Sequence, residues 1–318
     1  MSETMRALRF HNWQTSPSLD EVERPIRVDG ETLVSIRAGA VGHLDTTLAS
    51  GKFGVRPDLP YIAGVEGSGI VLESDELAVG TLVMLRGAGI GMMRDGTWAE
   101  QISVPNRAAI PIAEELPPEL AATYFVPATT AWTVLHDIAH IDSGENVIVA
   151  GAAGAVGSML VQLALRAGAN VTGLVATEGQ RDAVTTDATI IMAHDTEAIE
   201  KLAADRTASL LVDTIGGSDL GKRSRWVGVG GRVVLIGYVA GTSATLDLPN
   251  WLLDDVALLP VNMMRRQKSA RACAPKMAQM LARGDLHLAV ESYSFSDSAD
   301  VLAKLETGGL HGRAVFIP

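Results

Sequence analysis

The chain has a single cysteine, Cys273, in 318 residues. That excludes internal disulfides and any metal site built on two or more thiolates. Cys273 sits in "RACAPKMAQML", with apolar neighbours at helical spacing and no signature of an activated thiolate, so it reads as an ordinary helix residue. Long apolar runs are also missing. No window reaches the 18 or more uninterrupted apolar residues a membrane span needs, and residues 1–28 contain no sustained apolar core of a secretion signal. Basic blocks are absent as well, and the formal net charge is -11, a poor surface for nucleic-acid phosphates or anionic lipid. No internal repeat and no low-complexity tract interrupts the chain. What is left is a cytoplasmic globular protein acting on a small molecule.

At this length two apolar cores are expected rather than one. From about Glu145 onward, strand-like and helix-like stretches alternate. Residues 147–150 form a short β-branched run, and residues 158–167 place Met159, Leu160, Leu163, Ala164 and Ala167 on one helical face. Further strand-like runs fall at 171–175, 189–192, 210–212, 232–236 and 258–261. Six strands with crossovers imply a doubly wound parallel sheet, the Rossmann arrangement. The first 120 residues differ: short runs at 33–38, 69–72 and 82–85, punctuated by Gly, Pro and Asp, suit a compact mostly-β domain. Helices at 275–283 and 297–306 and a last strand at 314–317 could complete that first domain, with the sheet domain inserted in its middle.

Between the first strand and the first helix of the alternation stands "VIVAGAAGAVGSML", with Gly151, Gly154 and Gly157 three residues apart. A side-chain-free turn lets a pyrophosphate approach the backbone, where the unpaired N–H groups of a helix N-terminus stabilise its charge. The pattern is G-x-x-G-x-x-G rather than G-x-G-x-x-G, and it lacks the Lys-Ser/Thr pair of a P-loop. A glycine corner used only for packing is the competing reading; the position at the first turn of a six-strand alternation favours the dinucleotide. About 20 residues on, where NAD-preferring folds carry an acid, the chain has Val175, Ala176 and Thr177. That end leaves room for a 2'-phosphate, with Arg181 and His194 as cationic partners, and points to NADP(H) over NAD; Glu178 opposes it.

The run "RAGAVGHLDTTLASGKF" with "LPYIAGVEGSGIV", then "GTWAEQISVP", "PATTAWTVL", the glycine stretch, "LLVDTIGG" and "GGRVVLIG", resembles the medium-chain dehydrogenase/reductase superfamily along nearly the whole chain, in order. Within it the chain looks like the quinone oxidoreductase branch. The resemblance implies a GroES-like catalytic domain over 1–121 and 263–318, split around a Rossmann NADP-binding domain over 122–262, and a homodimer. It also implies that Thr130 approaches the cofactor, that Gly151, Gly154, Ala155, Val156 and Gly157 hold the pyrophosphate, that Gly237, Tyr238 and Val239 line the nicotinamide side, and that Arg313 faces the cofactor.

Zinc-dependent relatives carry Cys where this chain has Gly42 and His where it has Val65, besides four cysteines for a structural zinc. Asp45 and Glu66 survive, but two isolated carboxylates do not make a tetrahedral N/S site, so no metal is expected. Without a metal to form an alkoxide, the acceptor must already be electrophilic, as quinones and α,β-unsaturated carbonyls are. Relatives often have Asn at position 42 and tyrosines at the positions of Thr47 and Phe53, which leaves Thr47, His43 and Tyr61 as candidate proton donors by position, and Phe53 suggests an apolar substrate pocket. Two other classes compete: a protein that binds NADPH without turnover, and a zinc-type alcohol dehydrogenase or carbonyl reductase. "HDIAH" places His136 and His140 at i and i+4 on one helix face, close to a zinc protease pattern, but with Asp for Glu. The Tyr-x-x-x-Lys pair of the short-chain reductases is absent. Finally, residues 258–266 read as an edge strand and turn of the kind that pairs across a dimer; an isolated edge blunted by Arg265 and Arg266 is the alternative.

Overall fold

The structure, a computed structural model, describes residues 3–318 apart from 52, 53, 55, 113, 114, 185, 186 and 311. Phe53 therefore lies outside the described residues. The chain begins with β1 (Thr4–Phe10), β2 (Ser18–Glu23), β3 (Glu31–Val41), α1 (His43–Ala49), β4 (Tyr61–Ile62), β5 (Glu66–Glu73), β6 (Leu82–Arg86), β7 (Gln101–Pro105), β8 (Ala109–Pro111) and α2 (Pro118–Thr123). It continues through α3 (Phe125–Thr133), β9 (Asn146–Ala150), α4 (Ala155–Arg166), β10 (Asn170–Val175), α5 (Glu178–Ala183), β11 (Thr189–Met192), α6 (Thr196–Asp205) and β12 (Ala208–Asp213). The remainder is α7 (Leu220–Ser224), β13 (Val227–Leu235), α8 (Leu248–Asp254), β14 (Ala257–Pro260), α9 (Gln267–Ala282), β15 (Val290–Ser294), α10 (Ser298–Thr307) and β16 (Arg313–Ile317). Two compact units result, one from Met1–Tyr124 with Ala278–Pro318, the other from Phe125–Met277.

The second unit is an α/β domain whose six strands run in the order β11-β10-β9-β12-β13-β14, with every pairing parallel. This is the doubly wound order of a Rossmann domain, and the order reverses at β9. The central strands are apolar on both faces: Val147, Ile148, Val149 and Ala150 of β9 and Leu210, Leu211 and Val212 of β12 are all buried. Helices cover both faces of such a sheet, which is why its strands read as unbroken apolar runs. α4 buries Met159, Leu160, Leu163 and Ala164 on the face its sequence spacing marks out. β13 starts earlier than its β-branched run, because Val227–Leu235 takes in Gly228, Gly230 and Gly231, which carry no strand signal. Near Gly231 the side chain of Val227 and the Ser209 carbonyl leave no space for a Cβ.

The first unit holds a seven-stranded path, β15-β16-β3-β5-β6-β8 with β7 on β3, and a separate three-stranded sheet, β2-β1-β4. Phe10, Tyr61, Trp98, Phe295 and Phe316 share one core, where Phe10 stacks on Tyr61 and Trp98 meets Phe316 edge-on at 5.0 Å. The Trp98 indole N–H donates to the Ala40 carbonyl, so "GTWAEQ" is a packing element that braces β3. The C-terminal strand β16 pairs antiparallel with β3, Ala314 opposite Val41, and thereby brings the chain's last strand beside Gly42.

At the amino ends of the parallel strands, Arg232 of β13 forks onto Glu145, with Nη1–Oε1 at 2.9 Å and Nη2–Oε2 at 2.7 Å. The Arg232 hydrogen bonds hold the Glu145 carboxyl at about 2, well below the ordinary carboxylate range. A depressed folded-state pKa adds stability that is complete above the unfolded value and is lost as pH falls toward the folded one. Glu145→Gln is therefore expected to cost about 2 kcal/mol at pH 7. The gap from wild type in urea melts should close between pH 4.5 and 2; a gap that does not depend on pH would contradict the ion-pair account.

Candidate functional site

The glycine turn follows β9 at the carboxyl edge of the sheet. Gly151 sits in left-handed backbone at φ +81°, and a Cβ there would overlap the Thr214 hydroxyl. A Cβ on Gly157 would overlap the Gly151 carbonyl oxygen, so α4 can leave the turn this tightly only with glycine at that position. Gly154 is different. It is the N-cap of α4, in extended backbone that other residues adopt, and an added Cβ would meet only the Gly151 carbonyl oxygen at 3.4 Å, an ordinary contact. No side chain caps the helix there. Two glycines are thus explained by packing, while the third leaves the first turn of a 12-residue helix bare, where unpaired N–H groups and the positive end of the helix dipole collect. The residues present fit a dinucleotide pyrophosphate, with Ala155, Val156 and Gly157 forming that turn.

Most of the other residues expected to meet a nucleotide follow β10, β11 and β13. Thr177 caps α5 after β10, its Oγ1 accepting from Gln180 N–H at 3.2 Å. Arg181 lies on α5, more than half exposed, and reaches Glu178 at only 3.6 Å. His194 is exposed just beyond β11. Beyond β13, a Cβ on Gly237 would overlap the Thr214 carbonyl oxygen, whereas Tyr238 and Val239 are each 71% exposed. Thr130 is buried in α3. Sequence reasoning overlooked the scaffold beneath this edge. Asp213, fully buried, accepts from the N–H groups of Ile215 and Gly216 at 2.8 Å and from Arg223 Nε at 2.7 Å, while Thr214 Oγ1 donates to the Ala150 carbonyl. An acid ending a strand and answered by an arginine ten residues on was the available signal.

In the first unit, α1 and the entry to β5 form a compact charged cluster. Asp45 Oδ2 accepts from Gly42 N–H at 2.9 Å and Oδ1 from Val65 N–H at 3.1 Å. Burial pushes the Asp45 carboxyl up to about 6, against those two hydrogen bonds and the Arg313 charge. Glu66 is paired with Arg86 and lies 3.5 Å from Arg313 Nη2. The expectation of two isolated carboxylates is corrected here: the β16–β3 pairing, invisible to local sequence reading, brings Arg313 to both. Gly42 and Val65 offer no ligand atom and Asp45 and Glu66 are engaged, so these residues do not fit a tetrahedral zinc site.

The three proton-donor candidates separate. His43 and Thr47 are exposed on α1, and Thr47 Oγ1 donates to the His43 carbonyl at 2.7 Å. Desolvation and the Arg313 charge hold the His43 imidazole below its ordinary value. Tyr61 is buried, its hydroxyl has no hydrogen-bond partner, and burial with the Asp45 charge raises its pKa. A second correction concerns "HDIAH". Residues Val134–Ile138 form a π-helical turn and His140 takes a left-handed φ of 50°, so the two histidines do not share an α-helical face. The His136 ring instead packs 3.9 Å from Trp132.

With this geometry established, known proteins can be compared. Residues 28–114 match the model of the alcohol dehydrogenase GroES-like domain and residues 155–283 that of the zinc-binding dehydrogenase, together more than half of the chain. Bovine prostaglandin reductase-3 is 25% identical over 298 residues, 92% of this chain and 76% of that protein. The quinone oxidoreductase of Pongo abelii is 24% identical, across 74% of this chain and 73% of its own length. This chain belongs to the medium-chain dehydrogenase/reductase superfamily, in its quinone oxidoreductase-like branch. Among solved structures, a mycobacterial protein complexed with NADPH superposes with a TM-score of 0.82 at 21% identity, covering 99% of this chain and 100% of that one. The GroES-like and Rossmann folds are both carried by this one chain.

The two kinds of glycine give opposite expectations. Gly157→Ala, which must force α4 off the Gly151 carbonyl, should lower stability by about 2–4 kcal/mol. Gly154→Ala should cost under about 1 kcal/mol. Thermal melts of both variants check this, and equal losses would show that Gly154 is also required by packing.

Proposed function

We propose that this protein is an NADPH-dependent oxidoreductase that works without zinc and delivers hydride to an electron-poor acceptor such as a quinone or an α,β-unsaturated carbonyl. The observation that carries the reading is the uncapped first turn of α4 at the point where the strand order reverses, with Gly154 bare for no packing reason. Ala155, Val156 and Gly157 would hold the pyrophosphate by their backbone N–H groups. Thr177, Arg181 and His194 would take the 2'-phosphate, and Val175 ends β10 where an acid would select the 2'-hydroxyl. Gly237, Tyr238 and Val239 would line the nicotinamide, with Thr130 nearby. When bound, the nicotinamide would supply the hydride, and the chain would position the acceptor and stabilise the charge that develops on the acceptor oxygen.

The acceptor class follows from the donor atoms. A simple alcohol needs a metal or strong base to become an alkoxide, and Gly42, Val65 and the engaged Asp45 and Glu66 provide neither. An enone or quinone does not need one. Similarity to proteins described as a quinone oxidoreductase and a prostaglandin reductase, and to a fold solved with NADPH, supports the same reading. His43 and Thr47, exposed at the cluster, are better placed to relay a proton from solvent than the buried Tyr61.

Incubation with NADPH and a panel of quinones, enals, enones and activated ketones should show cofactor oxidation by at least one acceptor, unaffected by a chelator. Tight NADPH binding with no oxidation by any acceptor would favour a non-catalytic binding protein. Stoichiometric zinc with activity lost on chelation would favour a zinc-type alcohol dehydrogenase.

We also infer a homodimer through β14. This strand ends the six-stranded sheet, and Leu252 and Leu253 of the preceding helix are 78% and 79% exposed. Light scattering should give the mass of two chains, and Leu252→Asp with Leu253→Asp should give that of one; a monomeric wild type overturns this.

A further inference from the structure

We propose that the first unit carries a second ligand site, a cavity between β1, β2 and β7 that takes a linear polyamine. The site goes beyond the hydride-transfer reading above and does not need it, since every residue that forms it belongs to the first unit.

The cavity measures about 510 Å³ and is walled by β1, β2, β7 and residues 94–96. That lies within the roughly 300–1,000 Å³ of small-molecule sites. Its apolar wall consists of Met5, Ile62 and Ile102, all buried, with the half-buried Val22. Such a wall suits methylene groups rather than a bare ion.

The rest of the lining is charged, with Arg9 and Arg94 facing Glu21, Glu23, Glu31 and Asp95. Each arginine already has an acid. Arg94 Nη2 donates to Glu31 at 2.6 Å, and Ser103 donates to the other oxygen of that carboxylate at 2.7 Å. Arg9 reaches Asp20 at 3.7 Å and the Pro60 carbonyl at 3.4 Å, neither of which lines the cavity. Arg6 stands opposite Glu21 across the β1–β2 ladder, but its Nε is taken by Glu100 at 2.8 Å. Among the described residues Glu21 has no ion pair or side-chain hydrogen bond, and Asp95 uses only Oδ1, which accepts from Ile62 N–H at 3.0 Å. The cavity therefore keeps an excess of negative charge.

The layout of that charge selects the ligand. Among the described residues no three His, Cys, Asp or Glu side chains converge as a metal ion requires. The carboxylates are strung out along β1 instead. Glu23 lies opposite Thr4 and Glu21 opposite Arg6, while Asp95 is anchored to Ile62, opposite Arg9. At about 3.4 Å per residue, the backbone positions of Glu21 and Asp95 are about 10 Å apart along the strand, and Glu23 is about 7 Å further. A compact cation could meet only one of these acids. In a linear polyamine, ammonium groups separated by short methylene runs meet several, and the methylenes lie on Met5, Val22, Ile62 and Ile102.

The test is calorimetric titration of the full chain with spermidine at low salt, with octanediol as a neutral chain of similar length. One spermidine per chain should bind, with affinity falling as salt rises, and octanediol should give no measurable heat. Glu21→Gln with Asp95→Asn should weaken spermidine about 10-fold, and each single change about 3-fold, the scale of a partly exposed ion pair. Asp95→Asn keeps an oxygen for the Ile62 N–H, which spares the fold. Gln101→Lys sets an ammonium on the cavity wall and should abolish uptake. Glu197→Gln with Glu200→Gln, exposed acids of α6, removes the same charge from the second unit and should leave affinity within about 2-fold. No saturable spermidine uptake by the wild type, unchanged affinity in the Glu21 and Asp95 double variant, or octanediol binding as tightly as spermidine overturns the proposal. An equal loss in the Glu197 and Glu200 variant also overturns it, by showing diffuse attraction to a chain of net charge -11. Thermal melts accompany each variant; should the double variant not fold, wild-type affinity in Gln101→Lys overturns the proposal by itself.

Discussion

The contact between Gly157 and the Gly151 carbonyl oxygen governs the second unit. Because position 157 has no Cβ, α4 starts at once beyond β9 and runs back along the sheet, and its apolar face closes on β9 and β10. The same closeness leaves the helix N-terminus open at the carboxyl edge, where the strand order reverses. Thr214 completes the corner from the other side: its hydroxyl meets Gly151 and donates to Ala150, and its carbonyl lies against Gly237. One tight turn therefore fixes two neighbouring loops, and Asp213 with Arg223 fixes the loop between them.

In the first unit the equivalent constraint is long-range. β16, from the end of the chain, pairs with β3 and carries Arg313 to Gly42. Asp45 ties α1 to the entrance of β5 through the Gly42 and Val65 N–H groups, and its charge is answered by Arg313. The result is a small cluster of carboxylates and guanidinium groups around a bare glycine. On the function proposed above, such a cluster would serve an acceptor that is already electrophilic rather than a simple alcohol.

Much of this was legible in the residues themselves. Unbroken runs such as "VIVA" and "LLV" gave the buried parallel strands, since β-branched residues between turn signals have few other uses, and the spacing of Met159, Leu160, Leu163 and Ala164 gave the inner face of α4. Less accessible were features that depend on remote pairing or on glycine. The early part of β13, the π-helical turn at Val134–Ile138 and the meeting of Arg313 with Gly42 carry no local signal. In "HDIAH" the sequence periodicity suggested one helical face, and the π-turn followed by a left-handed His140 broke it.

The account depends on the bare turn of α4 seating a nicotinamide coenzyme. The most direct measurement is a fluorescence titration of reduced nicotinamide into the purified protein. Saturable uptake at one coenzyme per chain, abolished by a bulky side chain at Gly154 in a variant that melts normally, is the predicted result. A flat titration with folded protein, or uptake indifferent to that side chain, would contradict it.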